Sequence, residues 1–231
     1  MSVKARVHMA LGALAGLLML AGIFGALHWL LLPERFPVTG VALKGELKNT
    51  TRTEIAAALP RAKGNFFAMD LSEVRVALER LPWVRRVAVR RVWPGRLEVS
   101  IEEHVALARW GDDALVNTHG ERFMAKTKDA LPLFMGPGGT AGEVARRYHR
   151  FAEIVAPLGT GVERVVLSQR YAWQLRLGNG LHVMLGRDGD LAETRLRRFV
   201  ESYPSVKKKQ HEYVDLRYPN GFALRVPDWN G

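Results

Sequence analysis

The sequence predicts an α+β protein carried on one apolar N-terminal helix, and three observations support that class. Residues Ala10 to Leu32 contain no Asp, Glu, Lys or Arg. Apolar residues then switch from helical to alternating spacing between Leu71 and Ile101. From Val105 onward, short alternating runs predominate and two amphipathic helices interrupt them.

The apolar run of 23 residues would rise roughly 34 Å as a helix, enough for a hydrocarbon core of about 30 Å. Trp29 lies near its outer end, where an aromatic ring suits the lipid–water interface. Lys4 and Arg6 flank the other end without an acidic neighbour, so the positive-inside bias places residues 1–9 in the cytoplasm and residues 33–231 outside. A cleaved signal peptide fits less well. The run exceeds the roughly 7–15 residues of such a segment, and Ala13-Leu14-Ala15 is buried inside it with no similar triplet after it. No later segment is long and apolar enough for a second span.

The chain has 231 residues, no cysteine and a net charge of +11. The absence of cysteine excludes disulfides and thiolate sites. Setting aside Lys4 and Arg6 leaves +9 beyond the anchor. That balance favours acidic partners, with nucleic acid the poorest candidate outside a membrane.

The first outer block, residues 36–104, reads β-α-α-β-β. Val38, Val41 and Leu43 mark a strand ending at Gly45. Thr51-Arg52-Thr53-Glu54 is a capping box for a helix that Pro60 stops, and Asp70-Leu71-Ser72-Glu73 opens a second by the same logic. There Leu71, Val74, Leu78 and Leu81 recur at helical spacing until Pro82. Val87 and Val89 lie on one face with Arg86, Ala88 and Arg90 on the other, Trp93-Pro94-Gly95-Arg96 turns, and Leu97, Val99 and Ile101 alternate with polar residues. This is a hairpin with one wet face.

The second block, residues 105–226, carries strands at 106–110, 115–117, 131–134, 165–167, 173–177 and 181–185. Thr140 to Glu143 reads as another capping box, and its helix carries Val144, Tyr148, Phe151, Ile154 and Val155 on one side. A second helix over 191–203 turns Leu196, Phe199 and Val200 inward. Residues 213–218 and 222–226 form a last hairpin about Pro219-Asn220-Gly221. Lys207–Lys209 reads as a solvated helix end, and residues 227–231 as a tail.

No catalytic constellation emerges. Ser205-Val206-Lys207-Lys208 matches S-x-x-K, but neither S-D-N nor K-T-G accompanies it. It motivates one competing reading, a membrane-anchored periplasmic peptidoglycan-modifying enzyme. Gly136-Pro137-Gly138-Gly139 lacks the Lys-Ser/Thr of a phosphate loop. His211-Glu212 has no second histidine for zinc, and Asp188-Gly189-Asp190 lacks the other ligands of a calcium loop. No cofactor or metal is expected.

The last hairpin is the strongest binding feature. Phe222, Leu224 and Val226 alternate with no later strand to pair with, so an edge would offer backbone donors and acceptors to a partner strand. Arg170, Arg217 and Arg225 would give it a positive rim. An edge blunted by arginine against aggregation fits the same pattern.

The ordered set of motifs resembles the FtsQ/DivIB cell-division family, with its POTRA domain. It comprises the single anchor; Leu81-Pro82-Trp83-Val84; Val87 to Pro94; Leu97 to Glu103; Leu115-Val116-Asn117; Trp173-Gln174-Leu175; Leu185-Gly186-Arg187; Arg198-Phe199-Val200; and Tyr213 to Tyr218. The resemblance spans the anchor nearly to the C-terminus. It departs at His104-Val105, where many relatives have proline, and near Val226, where some carry an aromatic residue. It implies residues 10–32 as transmembrane helix, 33–35 as linker, 36–104 as POTRA domain and 105–226 as the family's β domain. It further implies a non-enzymatic inner-membrane protein at the division septum, linking early and late division components. The β domain would bind FtsB, paired with FtsL, by strand addition. Arg170 and Arg217 would face acidic FtsB residues, and Tyr218, Asn220, Gly221, Phe222 and Leu224 would line the contact. The POTRA domain and the anchor would serve other division proteins, and the chain would help control septal peptidoglycan synthesis. An outer-membrane transport component, the other home of POTRA domains, would need barrel strands for which this chain has no room.

Overall fold

A computed structural model of the chain describes residues 3–32, 36–59, 65–206 and 211–225. It divides into two compact units, Met1–Glu103 and His104–Gly231.

The first unit begins with helix α1, Val3–Leu31. Residues Leu11–Leu31 are long and apolar enough to cross a membrane. Their large side chains, Leu17, Leu20 and Phe24 among them, are exposed. A helical segment apolar all round, with its large side chains exposed, suits lipid rather than water.

Strand β1 (Gly40–Lys44), helices α2 (Arg52–Ala58) and α3 (Leu71–Glu79), and strands β2 (Val84–Val92) and β3 (Arg96–Glu103) follow in the expected β-α-α-β-β order. The sheet runs β1-β3-β2, with β1 parallel and β2 antiparallel to the central strand. Ile55, Val74, Leu78, Val87, Val99 and Ile101 bury against one another as its core. Each such side chain contributes about 1.5–3 kcal/mol.

The caps are local chemistry made visible. Thr51 Oγ1 accepts from the Glu54 amide while Glu54 bonds back to the Thr51 amide, a reciprocal box. Asp70 caps α3 through the Ser72 amide, and α3 ends at Glu79, three residues before Pro82. On the wet face Glu98 bridges all three strands, bonded to Arg90 and Lys44. Those bonds, the Arg90 one foremost, pull its carboxyl down to about 2. At the end of β3, Glu103 accepts from the amides of Lys48, Asn49 and Thr50 at 2.9, 3.0 and 2.7 Å. Gly45, at φ +123°, passes so close to Ile101 that a Cβ would overlap the Ile101 carbonyl oxygen.

The second unit holds β4 (Ala106–Trp110), β5 (Ala114–Asn117), β6 (Arg122–Phe123), β7 (Leu133–Met135), α4 (Ala141–Val155), β8 (Val162–Leu167), β9 (Trp173–Leu177), β10 (His182–Gly186), α5 (Gly189–Val206), β11 (Tyr213–Asp215) and β12 (Ala223–Arg225). Its mixed sheet runs β12-β11-β10-β9-β8-β7-β4-β5-β6. Helices α4 and α5 pack on the sheet and on each other, over Phe134, Phe151, Trp173, Leu196 and Phe199. Arg147 of α4 ties the pair together, donating to Glu193 at 2.5 Å and Asp190 at 2.7 Å on α5. The return through α5 makes β11 parallel to β10, and the seven-residue connection after β11 makes β12 antiparallel.

Two expectations need correction. Thr140 does not cap α4 with its side chain: its backbone lies at φ −93°, ψ 1°, outside the extended region of a cap, and Oγ1 donates to the Pro137 carbonyl at 2.7 Å instead. The last hairpin is shorter than expected, because the chain leaves the ladder after Asp215 and rejoins it at Ala223. Residues 122–123 form a two-residue strand, too brief for an alternation to show. Lys207–Lys209, the lysines of Ser205–Lys208, and Val226 lie outside the described residues.

Candidate partner-binding edge

Strand β12 ends the nine-stranded sheet. Its inner side pairs with β11 (Tyr213↔Arg225, Val214↔Leu224, Asp215↔Ala223), and among the described residues no strand pairs with its outer side. The backbone groups there are the template that a partner strand needs.

Alternation along β12 sorts its side chains. Leu224 packs against the core, while Ala223 and Arg225 are exposed. Phe222, just ahead of the strand, is also drawn inward. Its ring meets that of Phe199 edge-on at 5.3 Å and 90°. Phe222 therefore fastens the edge to α5, and of the expected contact residues it and Leu224 are the two that pack against the protein's own core.

The turn from Arg217 to Gly221 behaves oppositely. Tyr218 is 55% exposed, and Pro219 and Asn220 are exposed beside it. Residues Tyr218 to Ala223 line an open depression of about 410 Å³. Arg198 of α5 donates to the Pro219 carbonyl at 2.9 Å and fixes the turn.

Arg217 is already engaged. Its Nε donates to both carboxylate oxygens of Asp215 at 2.9 and 3.0 Å, and Nη2 to Oδ2 at 2.5 Å. Its amide donates to the same carboxylate at 3.0 Å. The Arg217 hydrogen bonds hold the Asp215 carboxyl below the usual range against the opposing effect of burial, and the pairing raises Arg217 in turn. The side chain nevertheless stays largely exposed. The guanidinium is thus held by Asp215 through Nε and Nη2, with Nη1 uncommitted among the described residues.

Arg170 does not border β12. It lies in the turn between β8 and β9, beside Tyr171, which sits at φ +58° and is exposed. Ser168 closes that turn, its amide paired with the Ala172 carbonyl at 2.9 Å and its Oγ accepting from the Ala172 amide at 3.0 Å. Trp173 pairs with Gly186 at the end of β10, and Leu216 follows from Met184. The Arg170 and Arg217 turns therefore share one end of the sheet, two to three strands apart, or roughly 10–14 Å.

Sequence reasoning missed Arg198 and Tyr171. It also missed the Asp215–Arg217 pairing, although the i, i+2 spacing of opposite charges at a strand end is a signal for it. Among the described residues no cluster of His, Asp and Glu fit to hold a metal ion occurs.

Comparison with known proteins agrees with the architecture. A family model described as POTRA domain, FtsQ-type, matches residues 36–104, and one described as Cell division protein FtsQ/DivIB, C-terminal, matches residues 108–217. Cell division protein FtsQ of Burkholderia pseudomallei is 42% identical over 230 residues, covering 96% of this chain and 92% of that protein. FtsQ of Nitrosospira multiformis is 40% identical, covering 94% and 97%. FtsQ of Escherichia coli is 34% identical, covering 86% and 76%. The chain belongs to the FtsQ/DivIB family of cell-division proteins and has a role in the divisome.

Proposed function

We propose that the chain is a non-catalytic divisome scaffold that holds the FtsB–FtsL pair by adding an FtsB strand to the outer edge of β12. The observation that carries this reading is the edge itself, a strand paired on one side only among the described residues and flanked by an exposed turn. Main-chain bonds along β12 supply affinity, and Tyr218, Asn220 and Gly221 shape the approach. Arg217, preset by Asp215, meets an acidic FtsB side chain through its remaining donors. Arg170 lies across the end of the sheet and contacts FtsB only if the partner continues beyond β11. Anchored by α1 with its N-terminus in the cytoplasm, the chain presents this edge outside the inner membrane at the septum, and its POTRA domain serves other division proteins.

Co-purification of FtsB–FtsL with the full-length chain tests the reading. Tyr218→Ala should weaken capture about tenfold or more with fold and membrane binding intact, and Arg217→Glu should remove capture, losing stability with the Asp215 pair but staying folded and membrane-bound. Undiminished capture by both would exclude this edge. Arg170→Glu separates a contact confined to β12 from one that crosses the sheet end.

A further inference from the structure

Outside the β12 edge, one other surface combines exposed aromatic rings with a fixed position in the fold. It begins at Asn65, whose side chain is buried in the first unit. Nδ2 donates to the carbonyls of Leu30 and Leu32 at 2.7 and 2.8 Å, satisfying groups that the end of a helix otherwise leaves without partners. Oδ1 accepts from the Phe67 amide at 2.8 Å. The span-forming segment of α1 ends at Leu31. The backbone of Phe67, two residues past Asn65, therefore lies within about 7 Å of the residue that caps that end.

The same segment is fastened to the sheet. Arg91 of β2 donates to the Phe66 carbonyl at 2.7 Å and the Met69 carbonyl at 2.5 Å, and the Phe66 amide donates to Phe36 at 2.7 Å. Around these bonds the rings of Phe36, Phe66 and Phe67 gather on Trp93, with centroids 6.1 to 6.2 Å from it. Trp93 is 65% and Phe67 41% exposed. Exposed aromatic surface of this kind is costly in water but favoured where hydrocarbon gives way to headgroups. Arg96, also exposed, lines an open cleft of about 420 Å³ with Phe36, Pro37, Trp93 and Pro94, placing a guanidinium beside the rings.

We propose that this face, led by Trp93 and Phe67, rests in the headgroup region of the bilayer that α1 crosses, with Arg96 directed to lipid phosphate. The occupant is a phospholipid surface because Asn65 ties the face to the outer end of the span. A partner protein would need no such tie. The proposal rests on reading α1 as an uncleaved anchor. The consequence is mechanical: the first unit would be held against the membrane instead of swinging from a tether.

The absence of cysteine makes the test direct. The full chain carrying Trp93→Cys, labelled with an environment-sensitive fluorophore, is reconstituted in phosphatidylethanolamine–phosphatidylglycerol vesicles. Phe67→Cys gives a second reporter should loss of Trp93 unpack the ring cluster. Leu20→Cys, near the middle of the span, reports on the anchor through lipids that carry the nitroxide deep in the acyl chain, and Thr53→Cys on α2 serves as a solvent-exposed control. The dye at 93 or 67 should be quenched several-fold more by nitroxide lipids labelled near the headgroup than the dye at 53, and shielded from aqueous iodide. Lipid quenching at 20, with iodide reaching both 93 and 67, would overturn the proposal and leave the face to a protein. No lipid quenching at 20 would overturn the anchor reading and the proposal with it.

Discussion

Arg217 grips the Asp215 carboxylate from two residues away, with Nη2 at 2.5 Å and Nε at 2.9 Å from its oxygens. Asp215 is buried where β11 ends, so the pair joins the last ladder of the sheet to the turn beyond it. Because the Arg217 bonds depress the Asp215 carboxyl, its contribution to stability is complete above the ordinary Asp value and is lost as pH falls through the lower folded value. Thermal unfolding of the full chain in detergent should show it: Asp215→Asn lowers the Tm at pH 7, and the difference from the parent narrows below about pH 4. A difference independent of pH would show that the carboxylate charge is not what holds the turn.

Tyr218 and Phe222 should separate binding from folding. Phe222 packs edge-on against Phe199, so Phe222→Ala should destabilise the second unit, by about 1–3 kcal/mol for a half-buried ring, and lose capture only as a result. Tyr218→Ala removes an exposed ring and should change stability by less than about 0.5 kcal/mol while weakening FtsB capture tenfold or more, about 1.4 kcal/mol. Denaturant titrations alongside binding curves distinguish the two. Equal stability losses would contradict the assignment of Phe222 to the core.

In the first unit two local contacts carry specific costs. Gly45→Ala asks a side chain to occupy φ +123° and overlap the Ile101 carbonyl, which should destabilise by about 1–3 kcal/mol. Glu103→Ala strands the amides of Lys48, Asn49 and Thr50, for a loss of about 1–3 kcal/mol where they are shielded and less where water replaces the carboxylate. Although burial pushes the Glu103 carboxyl up, those hydrogen bonds outweigh it and set it below the usual range. The Glu103 contribution should therefore also fade on acidification through the folded value. Denaturation of both variants at pH 7 and pH 4 checks this.

Helices, caps and hairpins are legible in the sequence because their causes are local. Thr51 and Glu54 are three residues apart, and Leu97, Val99 and Ile101 show their face by alternation alone. Thr140 misled because the same residue types serve a turn as readily as a cap, and only the backbone angle decides. The alternation of Phe222 and Leu224 is visible in the sequence, but the inward packing of Phe222 depends on Phe199, and the strand order that leaves β12 at the edge depends on partners far apart in sequence. The Asn65 tie joins positions 33 and 35 residues apart, and no periodicity announces it.

Strand addition at β12 is tested most directly by amide hydrogen exchange in the full chain with and without FtsB–FtsL. The account predicts slowed exchange across Ala223–Arg225, together with the Tyr218–Phe222 turn, on complex formation. Formation of the complex with exchange at Ala223–Arg225 unchanged, and protection elsewhere, would contradict it.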